Sequence, residues 1–112
     1  MACGGAVAYL SSNLDLFNST VRGNYGVGVW IANGSAGRVS GDTITGNFGE
    51  GLRLSGLSTA IVYSNTISGN SGSDLVCTST SYASGDKAGI GKMACSGFNV
   101  DPTPGLGKGK DK

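Results

Sequence analysis

Thr43-Ile44-Thr45-Gly46-Asn47 is the stretch on which the reading of this chain turns. It recurs as Thr20-Val21-Arg22-Gly23-Asn24 and as Thr66-Ile67-Ser68-Gly69-Asn70, each copy 23 residues after the one before. No gap is needed to align the copies. A fixed period in this range marks a repeat architecture, in which each unit buries its apolar side by stacking on its neighbours. Ser12, Ser35, Ser58 and Ser81 keep the same step.

The repeat can be taken column by column. Val29 and Ile31 align with Leu52 and Leu54, then with Leu75 and Cys77. Two apolar positions separated by one residue are the signature of a strand with one buried face. Leu16, Val39 and Val62 make a second apolar column, and Val21, Ile44 and Ile67 a third. Each coil is therefore predicted to hold three short strands, falling near 51–55, 60–63 and 66–68 in the best-defined copy. Gly, Asn, Asp and Ser mark the bends between them. Like columns lie on each other when each strand pairs in parallel with its own copy about 4.8 Å away. The expected interior columns are Leu16/Val39/Val62, Val21/Ile44/Ile67 and Ile31/Leu54/Cys77. Asn24, Asn47 and Asn70 form a ladder: Asn tolerates the left-handed backbone of a sharp corner, and its amide can hydrogen-bond along the axis.

Composition agrees. Of 112 residues 21 are Gly and only 13% are charged, which suits turns and short strands over helices. A net charge of +1 argues against a nucleic-acid partner, which needs clustered Lys and Arg. No apolar run is long enough to span a bilayer. The first ten residues lack the basic start and long apolar core of a signal peptide. The chain has no His, which removes the commonest general base and neutral metal ligand. Cys3, Cys77 and Cys95 make no CxxC pair. Either Cys77 and Cys95 form one disulfide, leaving Cys3 over, or all three are thiols.

The phrases "GDTITGNFGEGLRLSG" (41–56) and "YSNTISGNSGSDLVC" (63–77) resemble coils of the right-handed parallel β-helix, the pectate-lyase-like superfamily. The resemblance covers roughly residues 14–80. It implies an all-β solenoid of three strands per coil with an Asn ladder at one turn, here about four coils of 23 residues. Residues 1–82 are assigned to the coils and 83–112 to a C-terminal cap and flexible tail. A solenoid this short exposes its end coils unless they are capped. The expected partners are thus neighbouring coils of a longer β-helix, or other copies in an oligomer.

Enzymes on this fold are polysaccharide lyases, which use clustered Asp with Arg or Lys and often calcium, or hydrolases, which use paired or tripled Asp. No two carboxylates of the repeat share a column here. The lyase signatures and the hydrolase Asn-Thr-Asp and Gly-His-Gly motifs do not occur; Asn65-Thr66-Ile67 only begins like one of them. The leading expectation is a non-catalytic extracellular or cell-surface module, polysaccharide-binding or structural. The rival is a fragment of a lyase or hydrolase whose active residues lie on other coils.

Four outward features bear on function. If Val29 and Ile31 point inward, Trp30 points outward with Arg53 in the next coil and Glu50 near it, a set that could dock a sugar ring. The bland reading is a cation–π contact of about 0.5–1 kcal/mol. Asp15 and Arg38 share a column and read as a surface ion pair. No cofactor is expected; residues 69–76 approach a calcium-binding nonapeptide, but a 23-residue period does not repeat it, and Gly28 and Gly51 occupy the column of Asp74. Thr20, Thr43 and Thr66 form a flat array like that of ice-binding solenoids, interrupted by Arg22.

Overall fold

The structure, a computed structural model, describes residues 6–78 and 80–100; Cys3 and the tail beyond residue 100 lie outside them. The first coil consists of β1 (Ala6–Tyr9), β2 (Asn13–Phe17) and β3 (Thr20–Arg22). The second holds β4 (Val29–Ala32), β5 (Ala36–Ser40) and β6 (Thr43–Thr45). The third holds β7 (Leu52–Ser55), β8 (Thr59–Tyr63) and β9 (Thr66–Ser68). After these three complete turns come β10 (Leu75–Cys77), β11 (Tyr82–Gly85), β12 (Met93–Ala94) and β13 (Phe98–Val100). No helix occurs among the described residues.

Every strand pairs in parallel with the strand one coil away. Three sheets result: β1-β4-β7-β10-β12, β2-β5-β8-β11-β13 and β3-β6-β9. The register is the 23-residue step itself, with Val21 opposite Ile44 and Ile44 opposite Ile67. A one-residue slip would turn every apolar side chain outward, so the alternating pattern fixes it. Val29, Ile31, Val39, Ile44, Leu52, Leu54, Val62, Ile67 and Leu75 are wholly buried between the sheets. Leu14, Leu16 and Val21 line the same interior but are only partly buried, because theirs is the outermost coil.

Three corners turn the chain. The first uses consecutive left-handed residues, Leu10 and Ser11, then Asn33 and Gly34, then Gly56 and Leu57. The second uses one per coil, Asn18, Gly41 and Ser64. At the third the left-handed residue is Gly23, Gly46 or Gly69, with φ of 71°, 67° and 68°. This corrects the expectation for the ladder asparagines: the glycine before each takes the turn, and the Asn side chain is left to point inward.

The columns run on past Ser81. β11 stacks on β8 at the regular step, and Ile90 bridges Ile67. Met93 then pairs Leu75 and Phe98 pairs Ala83, so the connections shorten while the sheets continue. Cys77 and Cys95 extend that register and are joined as a disulfide, with Cα atoms 4.5 Å apart. The bridge continues the inward column of Ile31 and Leu54.

Candidate functional site

Trp30, Arg53 and Glu50 come together on the outer face of the first sheet. Trp30 and Arg53 are register partners on β4 and β7. The Arg53 guanidinium lies over the Trp30 ring, 5.2 Å from its centroid. Arg53 Nη1 stands 3.6 Å from Glu50 Oε1, and the Trp30 indole N–H donates to Ser55 Oγ at 2.9 Å. The trio is half-buried. It is held by its own members and Ser55, and the buried Arg53 Nε has no acceptor. Val7 and Val76 continue the column on either side.

On the outer face of the second sheet, Asp15 and Arg38 form an exposed pair 3.7 Å apart. They border a shallow depression of about 320 Å³ whose floor is Ala36 and Gly37 and whose far wall is Thr59 and Ile61. A second hollow of about 220 Å³ follows along the same face beside Tyr82 and Asn99. The sequence signal for this trough is the small outward side chain of Ala36 between its register partners Asn13 and Thr59.

Ladders of polar groups run along the three corners. Each runs with one polarity: a backbone N–H of one coil donates to a side-chain oxygen of the next. Ser12 N–H donates to Ser35 Oγ, Ser35 N–H to Ser58 Oγ and Ser58 N–H to Ser81 Oγ. Ser19 N–H donates to Asp42 Oδ1 at 2.7 Å and Asp42 N–H to Asn65 Oδ1 at 2.9 Å. Asn24 donates through both N–H and Nδ2 to Asn47 Oδ1, and Asn47 does the same to Asn70 Oδ1. The column Ser19, Asp42, Asn65 keeps the same 23-residue step, but its members differ, so residue identity does not mark it.

Two aspartates sit in these ladders with opposite electrostatics. Asp42 is 1% exposed; Oδ1 has its donor, and Oδ2 has no partner. Burial pushes its carboxyl above the ordinary value, and the backbone at Ser19 and Ser40 only partly offsets this. Asp74 is 2% exposed. Its Oδ1 accepts from Asn70 N–H and Nδ2, and its Oδ2 from Lys92 N–H. Burial again acts upward, but these donors, with the Lys92 charge, hold the carboxyl below the ordinary value.

The glycines of that column explain where Asp74 came from. A Cβ at Gly28 would lie 2.7 Å from Asn47 Nδ2, and one at Gly51 would lie 2.5 Å from Asn70 Nδ2. Only glycine leaves room for the next coil's ladder amide. One coil later that amide is missing, since residue 93 is Met and sits on β12. The Asp74 side chain fills the space and caps the ladder. The near match to a calcium nonapeptide thus places its aspartate on N–H donors, and no group of three His, Cys, Asp or Glu able to hold a metal occurs among the described residues.

Every described carboxylate is engaged: Asp15 by Arg38, Asp42 by Ser19, Glu50 by Arg53, Asp74 by Asn70 and Lys92, and Asp86 by the Ala88 N–H. Asp101 and Asp111 lie outside the described residues. The Thr20, Thr43 and Thr66 column is in register on the third sheet, beside Arg22, Thr45 and Ser68. No curated protein and no solved structure matches the chain. The family described as right-handed β-helix region matches residues 3–100, and with the parallel three-sheet stack this places the chain in that family: it belongs to the right-handed β-helix proteins.

Proposed function

We propose that this chain is a non-catalytic β-helix module of an extracellular or cell-surface protein, and that it binds polysaccharide on the face carrying Trp30, Arg53 and Glu50. The observation that carries the reading is the gathering of these three side chains on one outward sheet face. An indole ring offers a flat apolar surface to the C–H face of a sugar. The Arg53 guanidinium and the Glu50 carboxylate offer donors and an acceptor to its hydroxyls. The Cys77–Cys95 disulfide supports an oxidising compartment. The engagement of each described carboxylate by a local donor supports binding over catalysis, since a general acid–base pair needs carboxyls that meet across a reacting bond.

One observation favours a second reading. The Trp30 N–H is already bonded to Ser55 and its ring is already covered by Arg53, which suits a structural face of a spacer. A glycan array with the wild type and Trp30→Ala, run beside product release from anionic polysaccharides, separates the two. Binding lost in Trp30→Ala without product release is the expected result. No glycan bound by the wild type leaves the spacer, and turnover by this chain alone overturns both.

A further inference from the structure

A second aromatic pair stands a few residues along the chain from the Trp30 cluster. Tyr25 and Phe48 occupy matching positions of consecutive coils, and their ring centroids are 5.4 Å apart, with the planes tilted by 36°. Each follows a ladder asparagine, Asn24 or Asn47, whose side chain points into the stack while the ring points out. Tyr25 is 71% exposed and Phe48 59%. A ring pair kept for packing alone would bury far more of its surface. The backbone beneath is tied from coil to coil: Phe48 N–H donates to Asn24 O, Gly49 N–H to Gly26 O and Gly28 N–H to Glu50 O.

A double row results. Tyr25, Val27 and Trp30 lie in one coil, and Phe48, Glu50 and Arg53 follow in the next at the same 23-residue step. Each end of the double row is a stacked pair, Tyr25 with Phe48 at one and Trp30 with Arg53 at the other. Glu50 stands between them in the chain and reaches the Arg53 guanidinium at 3.6 Å. Carboxylate and guanidinium balance, so the double row carries no net charge. Arg22 lies across the Gly23 corner on β3, and Lys92 lies two coils further on, both outside it. The matching positions of the following coil are Ser71 and Ser73, so the aromatic surface does not continue along the solenoid axis. Its long dimension follows the strands instead. From Tyr25 to Trp30 is five residues, at most about 17 Å of chain.

We propose that the double row is one site for a neutral glycan chain of flat rings, lying across the solenoid axis, with Trp30 under one end and Tyr25 and Phe48 under the other. The inference rests on the reading of Trp30, Arg53 and Glu50 as a sugar site, and adds the extent of that site, its direction and the class of chain. Sugar rings with equatorial hydroxyls present flat C–H faces to aromatic rings. Their hydroxyl edges meet the Glu50 carboxylate and the Arg53 guanidinium midway. A polyanion needs uncompensated cations, whereas the guanidinium of the double row is already paired with Glu50. A chain longer than the span between the ring pairs rests on both at once, and a short one on a single pair.

Calorimetric titration of the full chain with cellobiose, cellohexaose and hexagalacturonate tests this, with the emission of Trp30, the single tryptophan of the chain, reporting its end of the site. Cellohexaose should bind at least ~10-fold more tightly than either of the others and should change the Trp30 emission. Phe48→Ala should lower cellohexaose affinity at least ~10-fold while cellobiose affinity and Tm stay near wild type, because the ring is exposed; Phe48→Tyr should keep the affinity. Cellohexaose binding that Trp30→Ala abolishes and Phe48→Ala leaves unchanged overturns the double row while the Trp30 site stands. Binding that Trp30→Ala leaves unchanged overturns both readings. Tighter binding of hexagalacturonate overturns the neutral class, and a chain that binds neither hexasaccharide overturns the proposal, whatever other glycan is bound through Trp30.

Discussion

Asp42 and Asp74 stand at two corners of the same solenoid, both almost wholly buried, yet one carboxyl is held up and the other held down. The difference is position along a ladder. Asp42 is in the middle of a column, with Ser19 before it and Asn65 after it. A side chain in this column meets both an N–H and a carbonyl of the coil before it. Asn65 serves both, its Oδ1 accepting from Asp42 N–H and its Nδ2 donating to Val39 O at 2.8 Å. Asp42 can only accept, so Oδ2 is stranded. Asp74 stands where a column ends, and an end needs acceptors alone. A carboxylate therefore suits the terminus of an amide ladder and is misplaced within it.

The largest expected effect breaks the cap. Asp74→Ala removes the acceptor of Asn70 N–H, Asn70 Nδ2 and Lys92 N–H together. Unsatisfied buried donors cost about 1–3 kcal/mol each, so a loss of about 3 kcal/mol or more is expected in urea unfolding. Asp74→Asn should lose roughly half as much, because its amide can still accept from Asn70 but turns an N–H toward Lys92. The lowered carboxyl fixes the pH dependence. Its contribution is complete above the ordinary carboxyl value and disappears as pH falls through the folded value, so wild type should lose stability in acid that Asp74→Asn does not. An Asp74→Ala protein as stable as wild type would remove the cap from the account.

A second substitution moves the misplacement to the other column. Asn47→Asp keeps the acceptor for Asn24 but replaces the amide that donates to Asn70 Oδ1 and Val21 O. Two acceptors would then face a carboxylate in a fully buried site. A loss of about 2 kcal/mol is expected at neutral pH, shrinking in acid as the new carboxyl takes a proton and can donate. A loss of the same size at every pH would mean that the ladder tolerates charge and that packing alone is being measured.

The same distinction explains what the sequence disclosed. Interior columns were legible because side-chain identity and position repeat together: Val39 lies over Val62 and Ile44 over Ile67, as the 23-residue step requires. The Asn ladder was legible for the same reason. Its cap was not, because Asp74 acts through the absence of a next-coil Asn, and its column-mates Gly28 and Gly51 share no chemistry with it. The trio of Trp30, Arg53 and Glu50 followed from strand alternation and register. The cation–π contact of Arg53 on the ring followed with it; that Ser55 takes the indole N–H depended on a rotamer that no spacing encodes. Beyond Ser81 the step from Leu75 to Met93 is 18 residues. A fixed-period search loses the stack there although the strands continue.

The smallest effect restores the ladder instead of breaking it. Asp42→Asn keeps an oxygen for Ser19 N–H and supplies an N–H where Oδ2 is stranded. The acceptor waiting for it follows from register. Asn65 Nδ2 bonds Val39 O, and Leu16 pairs with Val39 one coil earlier, so the corresponding carbonyl is that of Leu16. A gain of about 1 kcal/mol at neutral pH is expected, the net worth of one satisfied buried hydrogen bond. The sign of its pH dependence is opposite to that at Asp74. With a folded carboxyl held above the ordinary value, Asp42 is protonated in both states in strong acid and carries no ionisation cost there. The cost grows as pH rises from the ordinary carboxyl value to the folded one, then stays constant. Thermal unfolding of wild type and Asp42→Asn from pH 3 to pH 8 should therefore show two curves that nearly coincide in acid and part as pH rises, with the variant above. Parallel curves, or a variant less stable at pH 8, would show that Asp42 is ionised at no cost and that mid-column position is not what separates it from Asp74.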